Sequence, residues 1–243
     1  DLLPDALHPT AEGAGIIART VYRALTGNYG GLQMPVIYSD NMVLQREKPL
    51  RIAGTANAGE KVTVSIAGQK GEAITTSDGK WSVILPPMKA GGPYTLSISA
   101  ESGKLDYTNI LIGEVWLCSG QSNMEMPVAG WGKVMNYEQE VADADYPSIR
   151  LLQVKKTVAF SPQENVEMNM NGWQECSSAT VPEFSSVAYF YARKLWKELN
   201  IPVGVIDCTW GGTPAESWTS HQTLKQVMGF QKKMAEMESA GFR

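Results

Sequence analysis

The stretch that decides the fold is Asn109-Ile-Leu-Ile-Gly-Glu-Val-Trp-Leu-Cys-Ser-Gly-Gln-Ser-Asn-Met124. Two apolar runs, Asn109–Ile112 and Val115–Cys118, are suited to a strand buried on both faces, as in a parallel sheet. The strand ends in Ser119-Gly-Gln-Ser122, a tight turn that leaves a serine exposed just past its carboxyl end. In open α/β sheets ligands bind at that edge. Gly120 permits a close backbone approach, and the N–H of Ser122 can face a developing oxyanion. Met124 stands where a Gly-x-Ser-x-Gly elbow would carry its second glycine, so the turn is of another kind.

Working outward, a second strand of the same type is Val203-Gly-Val-Ile-Asp-Cys208. It is followed by Thr209-Trp-Gly-Gly-Thr-Pro214, where paired Gly211 and Gly212 can form a nest of backbone N–H groups for an anion. Between them, Ser185 can cap a helix whose Val187, Tyr191 and Leu195 share one face, with Asn200 and Pro202 ending it. Strand, helix and strand predict an α/β fold with a doubly wound parallel sheet from residue 109 to 243. The tail after Thr219 reads as helical. Upstream, Val62-Thr-Val-Ser-Ile66, Trp81-Ser-Val-Ile-Leu85 and Tyr94-Thr-Leu-Ser-Ile98 are separated by glycine-bearing turns. That spacing predicts a small antiparallel β-sandwich module over 31–108.

Residues 1–30 form a separate pattern. Thr10 is an N-cap, Ile17, Val21 and Leu25 recur at helical spacing, and Gly27 is a stop signal. Asn28-Tyr-Gly-Gly31 then reads as a linker. A helix this short cannot bury its own apolar face and must dock on another body.

A serine nucleophile needs a base, and the chain has two histidines. His8 follows Asp5 in Asp-x-x-His-Pro, a spacing that can set a carboxylate beside an imidazole. His221 has no acid adjacent in sequence and reads as a surface residue. The net charge of −4, with no basic stripe, argues against a nucleic-acid partner. No apolar run is long enough for a membrane span. Cys118, Cys176 and Cys208 form neither a disulfide framework nor a metal-ligand spacing. Cys118 and Cys208 end apolar runs and read as small core residues, although one pair has the option of bonding in an oxidising compartment. The seven tryptophans and nine tyrosines suit core filling first and sugar stacking second.

Several long motifs resemble the sialate O-acetylesterases of the SGNH hydrolases. They are Gly113–Met126, Ile37-Tyr-Ser-Asp-Asn-Met-Val-Leu-Gln-Arg46, Pro86–Tyr94 and Ile201–Trp218. The resemblance implies a carbohydrate O-acetylesterase acting on acetylated sugars, O-acetylated sialic acid first, without metal or cofactor. An acetylxylan esterase and a non-catalytic glycan-binding module are the alternatives. It makes Ser122 the nucleophile, Gly211 and Gly212 oxyanion donors together with the Ser122 N–H, and Gln121 and Asn123 substrate contacts. It also implies a periplasmic or secreted location. The family closes its triad with a later Asp-x-x-His, which predicts an esterase domain truncated at its C-terminal side. On that reading Asp5, His8 and their helix are the end of a preceding SGNH domain. A permuted domain, with Asp5 and His8 serving Ser122, is the competing expectation.

Overall fold

The computed structural model describes residues 9–159 and 163–239, so Asp5 and His8 lie outside the described residues. Helix α1 spans Ala11–Thr26. The Thr10 hydroxyl accepts from the Gly13 N–H at its start, and Gly27 closes it in a left-handed conformation. Its Ile17, Val21 and Leu25 face is solvent-exposed, Leu25 by 81%.

Seven strands follow: β1 Val43–Gln45, β2 Leu50–Thr55, β3 Lys61–Ile66, β4 Gln69–Ile74, β5 Lys80–Leu85, β6 Gly91–Ala100 and β7 Gly103–Gly120. Strands β2 and β5 pair antiparallel as a two-stranded sheet. Strands β4, β3, β6 and β7 form an antiparallel run in the larger sheet. Alternation drives the layering. Val62, Val64 and Ile66 on β3 and Leu96 and Ile98 on β6 share a core with Ile52, Trp81, Val83 and Leu85. Each such fully buried aliphatic side chain contributes roughly 1.5–3 kcal/mol. The predicted strands at 62–66, 81–85 and 94–98 fall within β3, β5 and β6.

The remaining strands are β8 Asp145–Gln153, β9 Gln174–Ser177 and β10 Val203–Thr209. The second half of β7 pairs parallel with β10, and β10 pairs parallel with β8, while β9 runs antiparallel to β8. The fold is therefore α/β with a mixed sheet, its parallel strands at the centre of the half that carries the motifs. Strand β7 belongs to both halves. Residues 103–112 pair antiparallel with β6, and residues 114–120 pair parallel with β10. Position 108/109 thus lies inside one 18-residue strand.

Short helices α2 (Ser122–Glu125) and α3 (Tyr137–Ala142) precede α4 (Ser186–Leu199), which packs on β10, β8 and α2. Ser185 caps α4 through its hydroxyl to the Ala188 N–H, and Asn200 ends it left-handed, as the sequence predicts. Tyr189, Phe184, Ile149 and Val205 fill the core beneath. The tail holds a 3-10 turn, Ala215–Trp218, then α5 (His221–Leu224) and α6 (Gln231–Ser239). All three cysteines are free thiols, Cys118 and Cys176 in the core. Burial pushes Cys118 up to about 11 and Cys176 to about 12, so both are inert thiols at neutral pH. Among the described residues, no helix is long and apolar enough to cross a membrane.

Candidate active site

Strands β7 and β10 end side by side, so the loops that follow them meet. Gly120 has φ +148°, a conformation that glycine adopts freely, and it turns the chain into α2 with Ser122 first. The Trp210 N–H donates to the Gly120 carbonyl at 2.9 Å, joining the two turns. A Cβ built on Gly211 would lie 3.5 Å from the Ser122 Cβ, so the glycine loop rests directly against the serine. Gly212 is left-handed at φ +76° with open space around it.

The donors at this contact already hold oxygens. The Ser122 N–H and the Ser122 hydroxyl both donate to the Gln121 side-chain carbonyl, at 2.9 and 2.6 Å. The Gly211 N–H donates to the Glu125 carboxylate in a close contact. Glu125 also pairs with Lys156, on the segment leaving β8. Its side chain is 14% exposed. Burial acts to raise its pKa, but Lys156 and the Gly211 N–H outweigh that and hold the carboxyl below its usual range. One carboxylate thus ties together the segments that follow three neighbouring parallel strands.

The serine turn is held from behind. The Ser185 hydroxyl donates to the Met124 carbonyl at 2.6 Å, and the Ser186 N–H donates to the Met126 carbonyl at 2.8 Å. Below the turn, Asp207 is 1% exposed and accepts from the Thr209 hydroxyl at 2.7 Å and the Gln153 amide at 3.0 Å. Desolvation pushes its carboxyl above the usual range.

Beside Glu125 opens a cleft of about 490 Å³, whose walls include Trp131, Gln153, Lys156, Asn169, Glu183 and Thr209. A larger groove of about 650 Å³ crosses the β-module at Arg51, Lys80 and Trp81, away from the serine loop. The smaller cleft takes Glu125 from the serine helix and Thr209 from the end of β10.

The structure therefore brings Ser122, Gln121, Gly211 and Gly212 together, and Asn123 lies exposed on α2 next to the serine. His221 is on α5, where its Nε2 lies 2.9 Å from Glu238 of α6. That acid is seventeen residues downstream, so adjacency in sequence could not reveal it. Glu125, Lys156 and Trp131 were missed. Glu125 had a signal, since it follows Ser122 by three residues and shares its helical turn. Lys156 had none, because only the pairing of β8 with β10 brings it near. No group of three His, Cys, Asp or Glu side chains among the described residues is arranged to hold a metal ion.

Over residues 112–241 the chain matches the model of a family described as carbohydrate esterase, sialic acid-specific acetylesterase. Human sialate O-acetylesterase is 32% identical over 212 residues, which cover 80% of this chain and 40% of that enzyme. The rat enzyme is 34% identical over 206 residues, 77% of this chain and 38% of the other. A crystal structure of a carbohydrate acetylesterase from Xanthomonas citri superposes with a TM-score of 0.73 at 32% identity. It covers 79% of this chain and 44% of that one. The chain spans about 40% of the length of the curated relatives it matches.

Proposed function

Since the chain belongs to the carbohydrate esterase family of sialic acid-specific acetylesterases, we propose that it removes O-acetyl groups from sugars with Ser122 as the nucleophile. The observation that carries this reading is the contact of the Gly211 turn with Ser122 at the ends of β7 and β10. Ser122 Oγ attacks the acetyl carbonyl, and its proton passes to the imidazole of the Asp-x-x-His that the family resemblance implies. The imidazolium returns it to the sugar oxygen as the ester C–O bond breaks and the acyl-enzyme forms. Water then releases acetate by the same route.

The oxygens now resting on the Ser122 and Gly211 N–H groups support the oxyanion assignment. They are a neutral carbonyl and a carboxylate, each at a donor that would stabilise an oxyanion once the resident acceptor swings aside. Gln121 and Asn123, both exposed and on either side of Ser122 in the chain, are the substrate contacts on this reading. By family, O-acetylated sialic acid is the first substrate to assay, and a periplasmic or extracellular setting is the expected one.

The test is Ser122→Ala in the full-length protein. Loss of a serine nucleophile costs on the order of a millionfold in kcat, so acetate release at this site falls to background. An active-site-directed phosphonate labels the wild type at Ser122 and leaves the variant unlabelled. Wild-type turnover in the variant, or a wild type that resists the label, rejects the assignment and leaves a glycan-binding role.

A further inference from the structure

We infer that the cleft beside Glu125 is a pyranose subsite, with the indole of Trp131 as its stacking platform.

Trp131 is 67% exposed, so burial in the protein does not explain its size. It is nevertheless held on a fixed turn. Ala129 and Lys133 bridge across it, Val128 is buried at its base, and the Ala129 N–H donates to the Pro182 carbonyl at 2.8 Å. A large aromatic face presented to solvent on a pinned turn is suited to a ligand that brings an apolar face of its own.

The rest of the lining includes polar groups that are already ordered. The Gln153 amide donates to Asp207 at 3.0 Å and to the Glu183 carbonyl at 3.2 Å, and its oxygen accepts from Asn169 at 2.9 Å. Lys156 is fixed by Glu125. These groups already pair with one another, and an acyl chain would exchange no hydrogen bond with them. A pyranose fits both sides, because its C–H face lies on the indole while its hydroxyls exchange hydrogen bonds with the amides and charges. The volume, about 490 Å³, is within the range of small-molecule sites. Glu125 lines this cleft and holds the Gly211 N–H, so the cleft adjoins the loop that rests on Ser122.

The inference deepens the esterase reading and rests on it for the direction of the acetyl group, so its test has one arm that needs no catalysis. In the first arm, Trp131→Ala is assayed with an acetylated methyl pyranoside and with 4-nitrophenyl acetate, which carries no sugar. kcat/KM for the pyranoside falls about tenfold or more, chiefly through KM, as for loss of an anchoring aromatic. Aryl acetate hydrolysis stays within about twofold. Trp131→Tyr recovers most of the loss, and the melting temperature is unchanged. In the second arm, the same pyranoside is titrated into Ser122→Ala protein with and without Trp131→Ala, and saturable binding is lost with the indole. Equal loss on both esters, no loss on either, or binding indifferent to Trp131 overturns the subsite. Trp131-dependent binding by a wild type that hydrolyses neither ester keeps the subsite and rejects the esterase reading.

Discussion

Asp207 lies two residues before Thr209, which lines the cleft, and is 1% exposed. Desolvation is the largest influence on it, and the Thr209 and Gln153 donors offset that only in part. Its carboxyl in the folded chain therefore titrates above its unfolded value. The folded state keeps the proton to higher pH, so this group lowers stability as pH rises through the interval between the two values. Asp207→Asn should remove that component. Urea midpoints measured from pH 4 to 7 should fall less steeply with rising pH in the variant than in the wild type, and parallel curves would reject the assignment. At this scale the sequence revealed the residues that local backbone chemistry marks. Ser122, Gly120, Gly211 and Gly212 sit in turns after apolar strands, and each was legible there. Glu125's partner Lys156 was not, because thirty residues and a strand crossing separate them. Neither was the indole of Trp131, since exposure is a property of the folded surface.

Among the elements, those with local signals were foreseen closely. The Thr10 and Ser185 caps and the Gly27 and Asn200 stops mark α1 and α4 within a residue. Strand β8 was not foreseen. Its Tyr-Pro start and the central Arg150 interrupt the apolar pattern, although Arg150 is buried and hydrogen-bonded there. The tail was expected as one helical run, and it breaks into a turn and two helices around Gly229, which has φ +99°. Strand β7 offers a test with an internal control. At Gly113 a Cβ would run into the Pro202 carbonyl, 2.6 Å from its carbon, where β1, β7 and the approach to β10 converge. Gly113→Ala should cost about 3 kcal/mol or more by forcing these backbones apart. At Gly103, on the same strand, a Cβ meets nothing within 4 Å, so Gly103→Ala should leave the urea midpoint nearly unchanged. Equal effects at the two positions would show that the strand, not the close approach, sets the cost.

Across the whole molecule, Arg150 and β7 join the β-module to the site-bearing half. From β8 the Arg150 guanidinium reaches the Asn41 carbonyl at 3.2 Å and the Asn109 side chain at 3.1 Å, and it bonds the Pro147 carbonyl at 2.7 Å. Arg150→Met strands those acceptors, at a cost of roughly 3 kcal/mol. For a chain of this size that corresponds to about 6–12 °C in Tm. The wild type and the variant should each melt in one calorimetric transition, since β7 still runs through both halves. A second transition at the original temperature would show that the halves unfold separately. The same strand has a consequence for digestion and for geometry. A protease separating folded units needs a yielding stretch of backbone between them, and residues 103–120 offer none. The β-module cannot be trimmed from the serine at that crossing without dismantling both. Nor can it swivel on a hinge there, so the β-module keeps one orientation to the serine turn.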